Sequence, residues 1–173
     1  MMSSPGDAPV TVVLGLGNPV RYDDAVGLRT AEEVARLLEA DPVPGVRVAI
    51  STRAGLELVD LLTGAARAII IDCLAPAESQ PGRIHRLTPE DVAGSTRLIG
   101  AHDVSVGDAL ALARVAGVPM PETIEIYAVE VGDIDRIEEG LSPDVARAVS
   151  TLARRIHRQL MSLPGTAVDR FPA

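Results

Sequence analysis

The sequence predicts an α/β protein, a three-layer α/β/α sandwich around a mostly parallel, twisted sheet of about five strands with one antiparallel strand. Three observations carry this expectation. Short apolar runs alternate with amphipathic stretches in the order β-α-β-α-β-β-α-β-α. The first and third runs, Val10–Leu16 (VTVVLGL) and Ala68–Asp72 (AIIID), are almost continuously apolar, as expected of strands covered on both faces. The connection from Cys73 to Pro81 holds two prolines and no helical pattern. It is too short for a parallel crossover, so the strand behind it should run antiparallel.

The elements follow in order. Residues 1–9 (MMSSPGDAP) are small, polar and turn-prone, which predicts a disordered tail. A Gly-Asn-Pro turn at Gly17–Pro19 closes the first strand. A helix then starts near Asp23 or Asp24 and carries Val26, Thr30, Val34, Leu37 and Leu38 on one face. Gly45–Ser51 alternates as a second strand, and Gly55–Leu62 reads as a short helix. Arg83–Leu87 is the antiparallel strand, and Pro89–Ala93 a short helix within an irregular stretch ending at His102. Val104–Val115 is helical, and Glu122–Val129 (ETIEIYAV) is a last, strictly alternating strand. In the final helix Ser142 can cap, Pro143 suits the first helical position, and Val145, Val149, Leu152, Ile156 and Leu160 form one stripe. Residues 10–161 are expected to form a single domain, with a flexible tail over 162–173.

Composition narrows the chemistry. With 173 residues, 47% apolar and 23% charged, the chain has the make-up of one globular domain. No apolar run approaches the roughly 18 residues that span a bilayer, and no signal-peptide pattern is present. The expectation is a cytoplasmic protein without membrane partners. All 16 basic residues are arginine. Without a lysine amine there is no P-loop, no kinase-type ATP site and no Schiff-base chemistry. Only Tyr22, Tyr127 and Phe171 are aromatic and the net charge is −8, which opposes nucleic-acid binding. Cys73 is the sole cysteine, so disulfides, Fe–S clusters and Cys-rich zinc sites within one chain are excluded.

In open α/β sheets, ligands gather beyond the carboxyl ends of the strands. Three candidate groups belong there: Asp23 and Asp24 after the first strand, Asp72 at the end of the third, and His102 before a helix. Gly15 and Gly17 make an incomplete dinucleotide fingerprint, because Val20 stands where a third glycine belongs, and a tight strand-to-helix turn explains them better. Asn18 is best read as turn support. Asp23 is the better helix cap of the acidic pair, which leaves Asp24 facing the sheet edge. A charge at Asp72 in an apolar strand needs either a cleft or a loop-anchoring role. His157 in an arginine-rich helix reads as surface, and His85 as edge decoration. Asp24, Asp72 and His102 would make a two-oxygen, one-nitrogen set suited to nickel or zinc. A Cys73 thiolate with His102 as base is a rival; a small apolar residue after a strand is the plainer reading of Cys73.

The segment GLGNPVRYDDAVGLRTAEEV, Gly15 to Val34, resembles the N-terminal signature of the nickel–iron hydrogenase maturation proteases. Thr52-Arg53-Ala54-Gly55-Leu56-Glu57-Leu58 resembles the family's Thr-x-Gly-x-x-Leu segment, and Ile70-Ile71-Asp72 its second acidic strand. His102-Asp103 before a helix is similar to its histidine position. Ala25 and Arg53 depart from the usual pattern without removing a ligand. The resemblance covers about Val10 to Leu160. It implies an endopeptidase that removes the C-terminal extension of a hydrogenase large-subunit precursor after nickel insertion. It also implies that Asp24, Asp72 and His102 are the catalytic and metal-binding residues, contacting nickel carried by the precursor. The alternatives are a peptidyl-tRNA hydrolase-like enzyme, which shares a GLGNP-like opening but has histidines this chain lacks, and a non-catalytic nickel-handling module.

Overall fold

β1 (Thr11–Leu16) buries all six of its residues, because it has a parallel neighbour on each side and helices on each face. The computed structural model describes residues 10–52, 56–76, 78–92, 106–132, 134 and 136–163. β1 pairs in parallel with β2 (Val46–Ser51) and β3 (Arg67–Leu74), and β3 pairs in parallel with β5 (Thr123–Glu130). β4 (Ile84–Leu87) joins β5 antiparallel, as the short proline-bearing connection requires, giving the order β2-β1-β3-β5-β4.

Alternation along the strands divides the core in two. Val13, Ile69, Ile71, Tyr127 and Val129 face α1 (Val26–Ala40) and α5 (Pro143–Met161). Val12, Leu14, Ile70, Ile126 and Ala128 face α2 (Leu56–Leu62), α3 (Pro89–Val92) and α4 (Val106–Val115). The expected stripe of α5 is in place, with Val145, Leu152, Ile156 and Leu160 fully buried. Burying each leucine or isoleucine contributes about 1.5–3 kcal/mol.

Several expectations change. β3 runs two residues past Asp72, because Asp72 and Cys73 continue the pairing with Ala128 and Val129. Asp72 is therefore inside a strand and does not end it. The strict alternation of β5 does not mean a half-exposed strand: Ile126 to Glu130 are all buried, since β5 is interior to the sheet. His157 is not a surface residue. It is 9% exposed, and its Nε2–H donates to the Asp41 carbonyl at 3.0 Å, tying α5 to the end of α1. The expectations for residues 1–9 and 164–173, for Arg53–Gly55, and for Ala93, His102, Asp103 and Val104 lie outside the described residues, while Leu163 of the expected tail packs against the core.

Candidate active site

The turn after β1 is shaped by steric crowding. A Cβ on Gly15 would meet the Gly27 carbonyl, and one on Gly27 would meet the carbonyl oxygens of Leu16 and Ile71, all within 3.0 Å. The two glycines let the start of α1 lie against the sheet edge, a packing role that matches the turn reading over the nucleotide one. Gly17 adopts φ +147°, and the Asp24 carbonyl occupies the place of its missing side chain. Asn18 Oδ1 accepts the Val20 N–H at 3.1 Å, the turn-supporting role expected of it.

A single 3-10 turn, Asp23–Ala25, then leads into α1. Both acids in it are buried, Asp23 at 2% and Asp24 at 4% exposure. Asp23 does not cap its own helix. Its Oδ1 accepts the Ser142 N–H at 2.6 Å and its Oδ2 the Ser142 hydroxyl at 2.9 Å. Ser142 accordingly holds the N-cap position of α5 without a side-chain capping bond of its own.

Asp24 points the other way. Its Oδ1 accepts the Cys73 thiol at 3.0 Å, while the Cys73 backbone N–H donates to Asp72 Oδ1 at 2.8 Å. Two buried carboxylates from distant segments thus meet about one cysteine at the carboxyl edge of the sheet. Burial pushes the Asp72 carboxyl up to about 7; the Cys73 N–H pulls against it, and the negative charge of Asp24 adds a smaller upward push. Among the described residues no cationic side chain stands within ion-pair distance of Asp72. Burial, followed by the charges of Asp72 and Asp24, also raises the Cys73 thiol well above its ordinary value. That argues against the thiolate rival, because a nucleophilic cysteine needs the opposite shift. Cys73→Ser, which keeps a donor toward Asp24, is expected to retain most of the cleavage activity proposed below, measured as initial rate on the precursor.

Among the described residues no group of three or more His, Cys, Asp or Glu side chains could hold a metal ion. Of the three residues expected as ligands, Asp24 and Asp72 lie together about Cys73, and His102 lies outside the described residues.

A further buried acid escaped sequence reasoning. Glu130 ends β5, with Oε1 taking the His85 Nε2–H at 2.6 Å and Oε2 the Gln80 N–H at 2.6 Å. Burial pushes its carboxyl up, but Gln80, His85 and Arg83 together outweigh it and hold the group below the usual carboxylate range. His85 is thus more than edge decoration: it pairs with an ionised buried acid that fixes the loop before β4. The clue in the sequence was an acid closing an apolar strand, the same signal that singled out Asp72.

Fold and site together define the class, an α/β sandwich with paired buried carboxylates at the carboxyl edge of its sheet. Residues 44–159 match the family model described as HycI, hydrogenase maturation protease. The chain belongs to the hydrogenase maturation protease family. It is similar to the hydrogenase 2 maturation protease of Escherichia coli K12, with 26% identity over 163 residues, 93% of this chain and 94% of that protein. Among solved structures, an Escherichia coli endopeptidase aligns with TM-score 0.72 and 25% identity over 88% of this chain and 92% of its own. The HybD [NiFe] hydrogenase maturation protease of Thermococcus kodakarensis shares the fold, with TM-score 0.63 and 21% identity over 87% and 99% of the two chains.

Proposed function

We propose that this chain is the endopeptidase that removes the C-terminal extension of a nickel–iron hydrogenase large-subunit precursor, and that it reads the precursor's nickel through Asp24, Asp72 and His102. The observation that carries the reading is the meeting of the two buried carboxylates around Cys73. Burial raises the pKa of Asp72, and repulsion from the Asp24 charge adds to it. A divalent centre delivered by the client relieves both penalties, and hard carboxylate oxygens suit such an ion. Burial favours the protonated form of Asp72, and cation binding expels that proton. Among the described residues no helix is long and apolar enough to cross a membrane.

In this reading the nickel is cargo of the substrate and serves as a checkpoint. A precursor anchored through its metal holds the scissile peptide beside the carboxylates, replacing a bimolecular encounter by a fixed geometry. His102, which precedes α4 in sequence, completes the set. α4 leads into β5, parallel to β3, so it starts on the carboxyl side of the sheet.

The test is a mass measurement on purified precursor incubated with the chain. Nickel-loaded precursor should lose a fixed mass, and nickel-free precursor should stay intact. No loss from the loaded form overturns the proteolytic reading and favours a nickel-handling module. Equal cleavage of both forms removes the checkpoint.

A further inference from the structure

The turn that carries Asp24 is clasped by a segment more than a hundred residues away. Residues 136–142 clasp the acidic turn at four points. The Tyr22 N–H donates to the Arg136 carbonyl at 3.0 Å, and Arg21 forms an antiparallel bridge with Ile137. The Arg136 guanidinium lies 4.4 Å from the centre of the Tyr22 ring. Gly140, at φ +128°, passes so close that a Cβ would lie 3.4 Å from that ring. The fourth point is buried: the Asp23 carboxylate receives both the backbone N–H and the hydroxyl of Ser142 at 2.6 and 2.9 Å. Ser142 is the N-cap of the 19-residue α5, whose positive end favours the Asp23 charge.

We infer that Asp23 is a positioning residue for the proteolytic reaction, holding the turn against the start of α5 so that the neighbouring Asp24 carboxylate faces Cys73 and Asp72. The inference rests on the function proposed above. The chain direction makes it specific. Asp23 and Asp24 are consecutive in one 3-10 turn, and their side chains engage opposite partners, Ser142 on one side and Cys73 on the other. Releasing the first lets the turn rotate, and rotation moves the second. The nearest atoms to Gly17 are those of the Asp24 backbone, so that contact does not by itself fix where the Asp24 carboxylate points. A displacement of about 1 Å at a reacting centre costs up to roughly a hundredfold in rate. Docking of a large client, spread over a much wider surface, should be little affected.

The experiment measures kcat and KM for cleavage of nickel-loaded precursor by the wild type, Asp23→Ala and Ser142→Ala, together with thermal melting of each. The expected result is a fall in kcat of about tenfold or more for Asp23→Ala, with KM within about twofold of the wild type. Ser142→Ala, which loses one of the two hydrogen bonds, should lose about threefold in kcat. A purely structural role would lower the melting temperature of Asp23→Ala and leave kcat of the folded enzyme unchanged, and that result overturns the inference. So does a rise in KM at constant kcat. If Asp23→Ala fails to fold, Ser142→Ala decides, and a wild-type kcat there overturns it. A wild-type chain that leaves the precursor uncut overturns the proposed function itself, a distinct outcome.

Discussion

Asp72→Asn is expected to abolish precursor cleavage and, at the same time, to make the isolated protein more stable at neutral and alkaline pH. The loss follows from the site. An amide keeps the shape of the carboxyl and still accepts the Cys73 N–H, but it carries no charge for a cation, and cleavage should fall by roughly a hundredfold or more. Asp24→Asn and His102→Ala should be as damaging if all three act on one centre. Normal processing by all three variants would remove the site assignment.

The gain in stability follows from the same burial. Asp72 titrates near 7 in the folded chain and near 4 in the unfolded one, so folding favours its protonated form. Its contribution to stability is complete below about pH 4 and is lost as pH rises through 7. Asparagine has no proton to lose. The difference in unfolding free energy between Asp72→Asn and wild type should therefore be small near pH 4. It should grow to a few kcal/mol in favour of the variant above pH 7. Denaturant titration at both pH values measures it, and a variant no more stable than wild type at pH 8 would show that Asp72 is not strained. A residue kept at a cost to the fold is one retained for its chemistry.

Gly27→Ala is expected to be among the most damaging additions of a single methyl group at the described glycines. The new Cβ would fall within 3.0 Å of two backbone carbonyl oxygens, of Leu16 and Ile71, and neither can turn aside as a flexible side chain would. Helix α1 must lift from the sheet, at a cost of about 3 kcal/mol or more. In a chain of this size that lowers the melting temperature by roughly 6–12 °C. Because the displaced end of α1 is the end that carries Asp24, activity should fall with stability. Gly64→Ala is the comparison: its site is open and only the backbone angle of +78° resists, so about 1 kcal/mol is expected. Equal losses for the two would mean that contact at Gly27 is not limiting.

Much of the architecture was legible in order and spacing. A strand covered on both faces has no polar side to show, and β1 and β3 read accordingly. A connection without helical period and with two prolines cannot cross over, and β4 is antiparallel. The stripe of α5 repeats with the helix turn, and those residues are buried. These are properties of neighbouring residues, which a local pattern reports.

Partners distant in the chain were not legible. Asp23 satisfies the local rule for a helix cap, yet its oxygens are taken by Ser142, 119 residues away. His157 sits among arginines, but the end of α1 covers it. Asp72 was expected to end its strand and instead continues it, because β5 offers two more residues to pair with. The amino-acid sequence by itself determined which segments become strands and helices, how they connect, and that Asp24 and Asp72 fall at the carboxyl edge. The tertiary structure alone decided which carboxylate anchors α5 and which meets Cys73. The physical reason is that the direction of a buried polar side chain is set by the donors folding brings to it, and those come from anywhere in the chain.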